Sequence, residues 1–243
     1  MLSIDELHEL VKTRRSIRGY QKDKDVSEEQ IRHILEVARW APSGGNGQPW
    51  EFIVIRDAET RNKIAELFLK QQEHKREMEI AVRGEAKMTG AGFRDAPVYI
   101  IVLGDPRVNA SYPVRTMEEK SDSHFYSGLA NATLLIHLAA ASLGLGSQYV
   151  SDASSPYMSV MLKVLLGVPE PLKVYHLIPI GVASTPVAPR PRRELEEIVN
   201  YENYDRQHCR DSQAIEKFLM RLTRRGSYGK KSWVEDDAGK AGH

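Results

Sequence analysis

Cysteine is almost absent from this sequence, and no stretch of it stays apolar over the length of a membrane-spanning helix. With Cys209 alone, the chain can form neither an internal disulfide nor a metal centre built from several thiolates, and it suits a reducing compartment. The N-terminal residues also lack the apolar run of a secretory signal peptide. These absences predict a cytoplasmic protein that does not enter a membrane.

An excess of charge of one sign is also missing. Lysine and arginine number 34 and aspartate and glutamate 33, which gives a formal net charge of +1 and predicts no general attraction to nucleic acid or to anionic membranes. The histidines show no metal-ligand spacing such as HExxH, no GxGxxG follows a predicted strand, and Ser127 has no nucleophile elbow around it. We therefore expect no metal site and no Rossmann nicotinamide domain.

Helical and strand patterns alternate through most of the chain. Capping-box pairs at Ser3/Glu6 and Ser27/Gln30 each open an amphipathic helix, the first ending near Thr13 and the second before Pro42. An apolar helix over 123–143 is predicted to be central and buried on more than one side, and a shorter helix begins at Pro156. Strands are expected at 51–55, 98–103, 147–150 and 174–181, the first of them buried, and residues 104–122 are expected to form a long loop. Such an order favours an α/β or α+β sandwich with one sheet.

A cluster of guanidinium groups follows the first predicted helix, at Arg14, Arg15 and Arg18, with Ser16 among them. Such groups can anchor a phosphate or an electron-rich heteroaromatic ring. The plainer interpretation is a set of solvated cations that complement a helix C-terminus. For an isolated basic run, that plainer interpretation is the better one.

A second candidate element is the loop APSGGNGQPW at 41–50. Its glycines would let backbone N–H groups approach a flat ligand, and Ser43, Asn46 and Gln48 can donate and accept hydrogen bonds at the ligand's edge. On the plainer interpretation it is only a turn that stops a helix. Trp50 is expected in the core. The loop and the arginine cluster together suggest a phosphorylated, planar cofactor.

At this point the sequence resembles a known family. RRSIRGY at 14–20 followed by APSGGNGQPWEFIVI at 41–55, with LGLGS at 143–147 and the basic RPRRELEEIV at 190–199, is similar to the nitroreductase family of FMN-dependent oxidoreductases, over about residues 5–200. The resemblance implies an α+β sandwich with a mostly antiparallel central sheet flanked by helices. It also implies a homodimer with FMN at the subunit interface. We expect a nitroreductase-like FMN-binding domain at 1–200 and a C-terminal extension at 201–243, in which an amphipathic helix is followed by a flexible tail and which wraps the partner subunit.

The resemblance also implies roles for individual residues. The arginine element would grip the FMN phosphate and ribityl chain and place Arg18 near the pyrimidine ring, and the loop would meet the flavin from the neighbouring subunit. Tyr149 and Val150 would lie against the isoalloxazine, with the Ser151 N–H near N5. Arg190 and Arg192 compete for one phosphate contact, and spacing to the following leucine favours Arg192. The cofactor-binding residues implied are Arg14, Arg15, Ser16, Arg18, Pro42, Ser43, Asn46, Gln48, Tyr149, Val150, Ser151, Arg190 and Arg192.

The activity implied is a ping-pong transfer in which NADH or NADPH reduces the flavin and an electron-poor acceptor, such as a nitroaromatic or a quinone, reoxidises it. The flavin would carry the chemistry, so no side chain is expected to act as an indispensable acid or base. Segments near 71–95 and 104–126 would act as lids that select a small-molecule acceptor, and His124 and Tyr126 could reach it. His137, inside the apolar helix, is interpreted as a hydrogen-bonded interior histidine.

Two alternatives stay open. One is a dehalogenating or flavin-consuming branch of the same family, disfavoured by Asn46 and by the lack of a recognisable zwitterion-reading lid. The other is a flavin-binding redox sensor or storage protein without turnover. Steady oxidation of NAD(P)H in the presence of an acceptor would separate an enzyme from a binding protein.

Overall fold

The structure, a computed structural model, describes residues 3–86 and 89–222. The chain divides into two compact units, one from the described residues of Met1–Glu73 and Thr89–Val187 and the other from those of His74–Met88 and Ala188–His243. The first unit holds a four-stranded sheet with helices on both faces. The second holds the end of one long helix, two short 3-10 turns and a C-terminal helix.

The sheet is antiparallel throughout. Its strands are β1 (Trp50–Ile55), β2 (Val98–Gly104), β3 (Gly146–Ser147) and β4 (Lys173–Gly181), in the spatial order β1-β2-β4-β3. This confirms the predicted antiparallel central sheet. Since β2 lies between two partners and is covered on both faces, all seven of its residues are buried.

The helices of the described chain are α1 (Ile4–Thr13), α2 (Glu28–Arg39), α3 (Ala58–Arg83), α4 (Val114–Ser142), α5 (Pro156–Leu166) and α6 (Ser212–Leu222). Both predicted capping boxes form, because the hydroxyls of Ser3 and Ser27 accept hydrogen bonds from the amides of Glu6 and Gln30. Helix α5 ends at Gly167 in the left-handed conformation. Among the described residues, no helix is both long and apolar enough to cross a bilayer.

Two apolar cores sandwich the sheet. On one face, α3 and α5 pack side chains such as Phe68 and Leu162 against Tyr99 and Leu177. On the other face, α2 and α4 pack against alternate strand residues, among them Ile34, Leu129, Ile100 and Ile178. The alternation of strand side chains therefore divides the buried residues between two helical layers.

Three expectations need correction. Strand β1 is an edge strand with exposed and half-buried residues between its buried ends, not a buried one; Trp50 does lie in the core. Residues 104–122 are not one loop: a 3-10 turn at Pro106–Ser111 is followed by α4, which begins at Val114. That first part of α4 is charged and mostly exposed, so it has no apolar periodicity. Helix α4 buries a single broad face in this chain and leaves Leu134 51% exposed.

Strand β4 contains an irregularity that matters for the site. Val102 pairs with His176 but Leu103 pairs with Val174, so Tyr175 is an extra residue in the ladder. As a result Val174 and Leu177 lie in the core on the α3/α5 side, while Tyr175 packs with the core on the α4 side. The bulge thus presents two consecutive aromatic side chains, Tyr175 and His176, on the α4 side of the sheet.

In the second unit, the amphipathic helix expected around Phe218 forms as α6. Arg210 lies 5.5 Å from the centroid of the Phe218 ring, a cation–π distance. The flexible tail expected at the C-terminus falls on residues 223–243, outside the described part of the chain.

Candidate functional site

Two arginines line a cavity beside the end of α1. Arg14 is the C-cap residue of that helix, and its amide donates to the carbonyl of Leu10. Arg14 and Arg15 line a cavity of about 240 Å³ together with residues 144–147 and with Ala183, Thr185, Pro186 and Val187. The cavity therefore joins the predicted arginine element to the predicted LGLGS element.

A direct backbone contact fixes that junction. The amide of Ile17 donates to the carbonyl of Ser147 at 2.9 Å, and Ser16 forms a parallel β-bridge with Ser147. A side chain at Gly146 would place its Cβ 2.5 Å from Cγ1 of Ile17, so only glycine allows this approach. The two motifs, far apart in the sequence, thus share one wall of the cavity.

The arginines of the cluster differ in their surroundings. Arg15 is half-buried; its Nη1 donates to the carbonyl of Arg14 at 2.7 Å, and its buried Nε has no hydrogen-bond partner among the described residues. Arg18 is exposed and is not part of the cavity lining. The cavity is therefore lined by two cationic residues, which suits a small anion such as a phosphate group.

The glycine-rich loop has an unusual backbone. Asn46 and Gln48 adopt positive φ angles of 55° and 44°, a conformation that non-glycine residues rarely adopt outside constrained sites. The loop is held by Ser43, whose hydroxyl accepts from the amide of Gln48 at 3.0 Å, and by Asn131 of α4, which donates to the carbonyl of Pro42 at 2.9 Å. The amide side chains of Asn46 and Gln48 are exposed.

The side of the loop that its glycines leave open is filled by the chain itself. The hydroxyl of Tyr112 donates to the carbonyl of Gly44 at 2.8 Å, and the Tyr112 ring packs edge-to-face with His124. A Cβ at Gly44 would lie 2.5 Å from Cγ of His124, and one at Gly47 would lie 2.8 Å from the Tyr112 hydroxyl. Packing within the chain therefore explains why Gly44 and Gly47 are glycines: a larger side chain would clash with His124 or Tyr112.

Within one chain, the loop and the arginine cavity contact different parts of α4. The loop contacts Asn131, whereas Ala141 lines the cavity. Ten residues of helix separate the two positions, a distance of about 15 Å along the axis. The structure brings Arg14, Arg15, Ser16 and Ser147 together, but it does not bring the loop to them.

Residues 146–150 form a segment (segment 146–150) that pairs with β4. Its first two residues line the cavity, and its end leads into a short turn. Tyr149 is 42% exposed and its ring centroid lies 3.8 Å from that of His176. Val150 is buried in the core and pairs with Leu177 through its backbone. Ser151 is exposed at the start of a 3-10 turn, Ser151–Ser154.

Two buried glutamines of α3 hold that turn. Gln72 donates to Asp152 at 2.5 Å, and Gln71 donates to the hydroxyl of Ser155. These glutamines were not predicted as site residues. Gln71 and Gln72 lie between Lys70 and Glu73 in a charged part of α3, so no apolar pattern marks them as buried.

Two buried histidines lie beside the same segment. Nδ1 of His137 is 2.7 Å from Oγ of Ser147, which confirms the prediction of a hydrogen-bonded interior histidine. Burial, together with the nearby charge of Arg14, lowers the pKa of His137 to about 4. Burial, together with His137, lowers the pKa of His176 to about 4. Both imidazoles are therefore neutral at pH 7. The role of His176 was missed, because a β-bulge has no sequence signal of its own.

Arg190 and Arg192 lie in an exposed stretch of the second unit. Nη1 of Arg192 donates to the carbonyls of Arg190 and Pro191 at 3.3 and 3.2 Å. Their contact with a phosphate stays a prediction. In the described part of the chain, no group of three or more His, Cys, Asp or Glu side chains is arranged to hold a metal ion.

The model of the nitroreductase family matches residues 11–182. That stretch contains Arg14 and Arg15 of the cavity, the glycine-rich loop and segment 146–150. The chain belongs to the nitroreductase family. The resemblance read from the motifs and the predicted fold are both confirmed.

Individual nitroreductase-family relatives show how far the likeness extends. A protein of Archaeoglobus fulgidus named "Putative NADH dehydrogenase/NAD(P)H nitroreductase" is 31% identical over 84% of this chain and 98% of its own length. An iodotyrosine deiodinase of Thermotoga neapolitana is 28% identical over 82% of this chain and 98% of its own. The structure of a "putative nitroreductase in complex with fmn" from Desulfovibrio desulfuricans is 25% identical, with a TM-score of 0.62 over 84% of this chain and all of that one.

Proposed function

We propose that this nitroreductase-family protein binds FMN and uses NADH or NADPH to reduce a small, electron-poor acceptor such as a nitroaromatic or a quinone. The observation that carries the proposal is the cavity lined by Arg14 and Arg15 and joined to segment 146–150 through the Ile17–Ser147 hydrogen bond. The structural relative in complex with FMN supports the choice of cofactor.

The residues present fit a flavin phosphate. Arg14 and Arg15 both line a cavity large enough for a phosphate, and Nε of Arg15 is a buried donor without a partner among the described residues. A buried donor that lacks a partner costs free energy, and an anionic oxygen would remove that cost. Ser16 and the backbone of segment 146–150 would continue the site from the phosphate toward the isoalloxazine.

When bound, FMN would accept a hydride from NAD(P)H and pass the electrons to the acceptor. The protein's own part is to bind, orient and shield. Arg14 and Arg15 would hold the phosphate, and the Ile17–Ser147 contact keeps segment 146–150 beside them. Arg18 would supply positive charge near the pyrimidine ring, which stabilises an anionic reduced cofactor. We assign no side chain as an indispensable acid or base.

We further propose that the protein is a homodimer in which the loop with Pro42, Ser43, Asn46 and Gln48 completes the partner's site. Two observations support this: within one chain the loop lies apart from the arginine cavity, and Leu134 of α4 is exposed although apolar. Sedimentation equilibrium of the flavin-loaded protein tests the dimer. A monomer that binds FMN at full affinity would contradict it.

The cofactor assignment is tested by titrating the protein with FMN and with riboflavin, which lacks the phosphate. Arg14→Gln and Arg15→Gln should each weaken FMN binding about tenfold or more while leaving riboflavin binding nearly unchanged, since a charge-assisted phosphate contact contributes roughly 1.5–3 kcal/mol. Arg32→Gln on the exposed face of α2 is the matched control. Anaerobic addition of NADH or NADPH, followed at the visible flavin band, then tests the electron donor.

Reductive dehalogenation is a second candidate, because an iodotyrosine deiodinase matches 82% of this chain and 98% of its own. Release of iodide from iodotyrosine by the reduced, flavin-loaded protein would favour it over nitroaromatic reduction. A flavin that stays oxidised with both nicotinamide nucleotides would instead favour a binding protein without turnover.

A further inference from the structure

Segment 146–150 lies between the arginine cavity on one side and two buried histidines on the other. Ser147 lines the cavity and accepts the Ile17 amide through its carbonyl, while its hydroxyl meets Nδ1 of His137 at 2.7 Å. Two residues later, the ring of Tyr149 covers His176. Alternate side chains of an extended segment point the same way, so both anchored side chains leave the segment on one side.

The two histidines reach the segment from different elements. His137 comes from α4, and His176 comes from the bulge of β4, where the extra residue Tyr175 turns two neighbouring aromatic side chains to the same face. The hydroxyl of Tyr149 lies 3.4 Å from that of Tyr175. Bulges often occur beside functional sites, where they redirect a side chain.

Both histidines are buried, each with 6% of its surface exposed. His137 uses Nδ1 on Ser147, while its Nε2 and both ring nitrogens of His176 are buried without a hydrogen-bond partner in the described chain. If these residues only filled space in an apolar layer, leucine or phenylalanine would give a more stable fold, because buried polar atoms without partners cost free energy. His137 contacts Ser147 and the ring of Tyr149 in the segment, and His176 contacts the ring of Tyr149 as well as that of its neighbour Tyr175.

We propose that His137 and His176 are positioning residues that hold segment 146–150 against the arginine cavity, His137 through its hydrogen bond to Ser147 and His176 through its ring contact with Tyr149. The role in cofactor binding rests on the proposed FMN function, but the positioning of the segment does not. His137 holds Ser147, a polar residue of the cavity wall, by a hydrogen bond. His176 holds the ring of Tyr149 by packing, and Tyr149 is the residue expected to meet the isoalloxazine.

The chemistry of each contact selects the test variants. The side-chain amide of His137→Asn can reach the position of Nδ1 and keep the bond to Ser147, whereas His137→Leu keeps the bulk and loses the bond. His176→Phe keeps an aromatic ring against Tyr149, whereas His176→Ala removes it. His33→Leu, an exposed histidine on α2, is the matched control.

Two measurements follow, on the full chain. The first is the dissociation constant for FMN, from titration of flavin fluorescence: we expect about tenfold weaker binding for His137→Leu and His176→Ala, and values within about twofold of the native protein for His137→Asn and His176→Phe. The second is amide hydrogen exchange at Ile17, whose donor contacts Ser147. Its protection should fall about tenfold in His137→Leu and be restored in His137→Asn.

The outcomes separate the two proposals. If the native protein does not bind FMN, the proposed function fails, and exchange at Ile17 still decides whether His137 positions the segment. Equal effects of His137→Asn and His137→Leu on both measurements would mean that His137 acts only by packing, which would overturn the proposal. A His137→Leu variant with native FMN affinity and native exchange at Ile17 would also overturn it. Should His137→Leu not fold, Ser147→Ala removes the same bond from the other partner and must reproduce the loss.

Discussion

The hydroxyl of Tyr112 donates a 2.8 Å hydrogen bond to the carbonyl of Gly44. This contact ties the glycine-rich loop to a residue just ahead of α4, and the Tyr112 hydroxyl occupies the space that a side chain at Gly47 would need. The loop also contains Asn46 and Gln48 at positive φ. A backbone of this kind persists only when its surroundings determine it, and here Tyr112 and His124 provide those surroundings.

Alanine at Gly44 should therefore destabilise the protein. Its Cβ would lie 2.5 Å from His124, so the ring or the loop must move, at a cost of roughly 1–3 kcal/mol. Gly90→Ala, where a Cβ meets nothing within 4 Å, is the control. Urea unfolding measures the stability of both variants, and equal midpoints would show that the loop accommodates the added Cβ at Gly44 without a loss of stability.

Removing only the Tyr112 hydroxyl should have a smaller effect. In Tyr112→Phe the ring still fills its place, and the carbonyl of Gly44 still accepts from the amide of Gly47 at 3.0 Å. We expect a loss of about 1 kcal/mol in the free energy of unfolding. A loss as large as that of Gly44→Ala would mean that the hydroxyl, rather than the packing of the ring, holds the loop.

Acid should destabilise this protein through its buried histidines. The folded-state pKa of His176 is about 4, below its ordinary value of 6.5, so the unfolded chain binds more protons between these values. The contribution to stability is complete above pH 6.5 and is lost as the pH falls toward 4. At pH 4.5 the loss is roughly 2 kcal/mol for one such group.

The measurement is urea unfolding at pH 7 and pH 4.5. His176→Phe removes this group and should lose roughly 2 kcal/mol less than the native protein between the two pH values. The control is His33→Gln, which changes an exposed histidine without touching the buried pair. A His176→Phe variant with the native pH dependence would show that His176 does not resist protonation in the folded chain.

The turn that follows segment 146–150 should depend on α3. Gln72 is buried and donates to Asp152, so Gln72→Leu removes the donor to a carboxylate and should cost roughly 1–3 kcal/mol in the free energy of unfolding. Lys70→Leu, two residues earlier and exposed, is the matched control. Similar stabilities for the two variants would mean that Asp152 does not need this amide.

The sequence was most informative where a local pattern decides the structure. The capping boxes at Ser3 and Ser27 are set by neighbouring residues, and both form as predicted. The start of α4 was missed because its first turns are charged and mostly exposed, so no apolar periodicity marks them. Edge position, which leaves β1 partly exposed, depends on the order of the strands and not on any one of them.

The candidate site shows the same division. The family resemblance implied that the arginine element and the residues after LGLGS contact the same cofactor, and the Ile17–Ser147 bond joins these two parts of the chain. The positions of His176 and Tyr175 depend on a register shift between β2 and β4. A shift of this kind arises from pairing between strands that are far apart in the sequence, so the sequence of neither strand alone predicts it.

Arg190 and Arg192 are rivals for one phosphate contact, and we predict that Arg192 makes it. Arg192→Gln should weaken FMN binding about tenfold or more and leave riboflavin binding nearly unchanged, whereas Arg190→Gln should change either constant by less than about threefold. Comparing the two ligands isolates the phosphate, because riboflavin lacks it and shares the rest. Arg206→Gln, in the 3-10 turn Arg206–His208 of the same unit, controls for the loss of one positive charge. If Arg190→Gln shows the phosphate-dependent loss instead, the spacing to Leu195 is the wrong guide and the assignment of the two arginines is reversed. If both variants bind FMN as tightly as Arg206→Gln does, neither arginine reaches the phosphate, and Arg14 and Arg15 are the arginines that bind it.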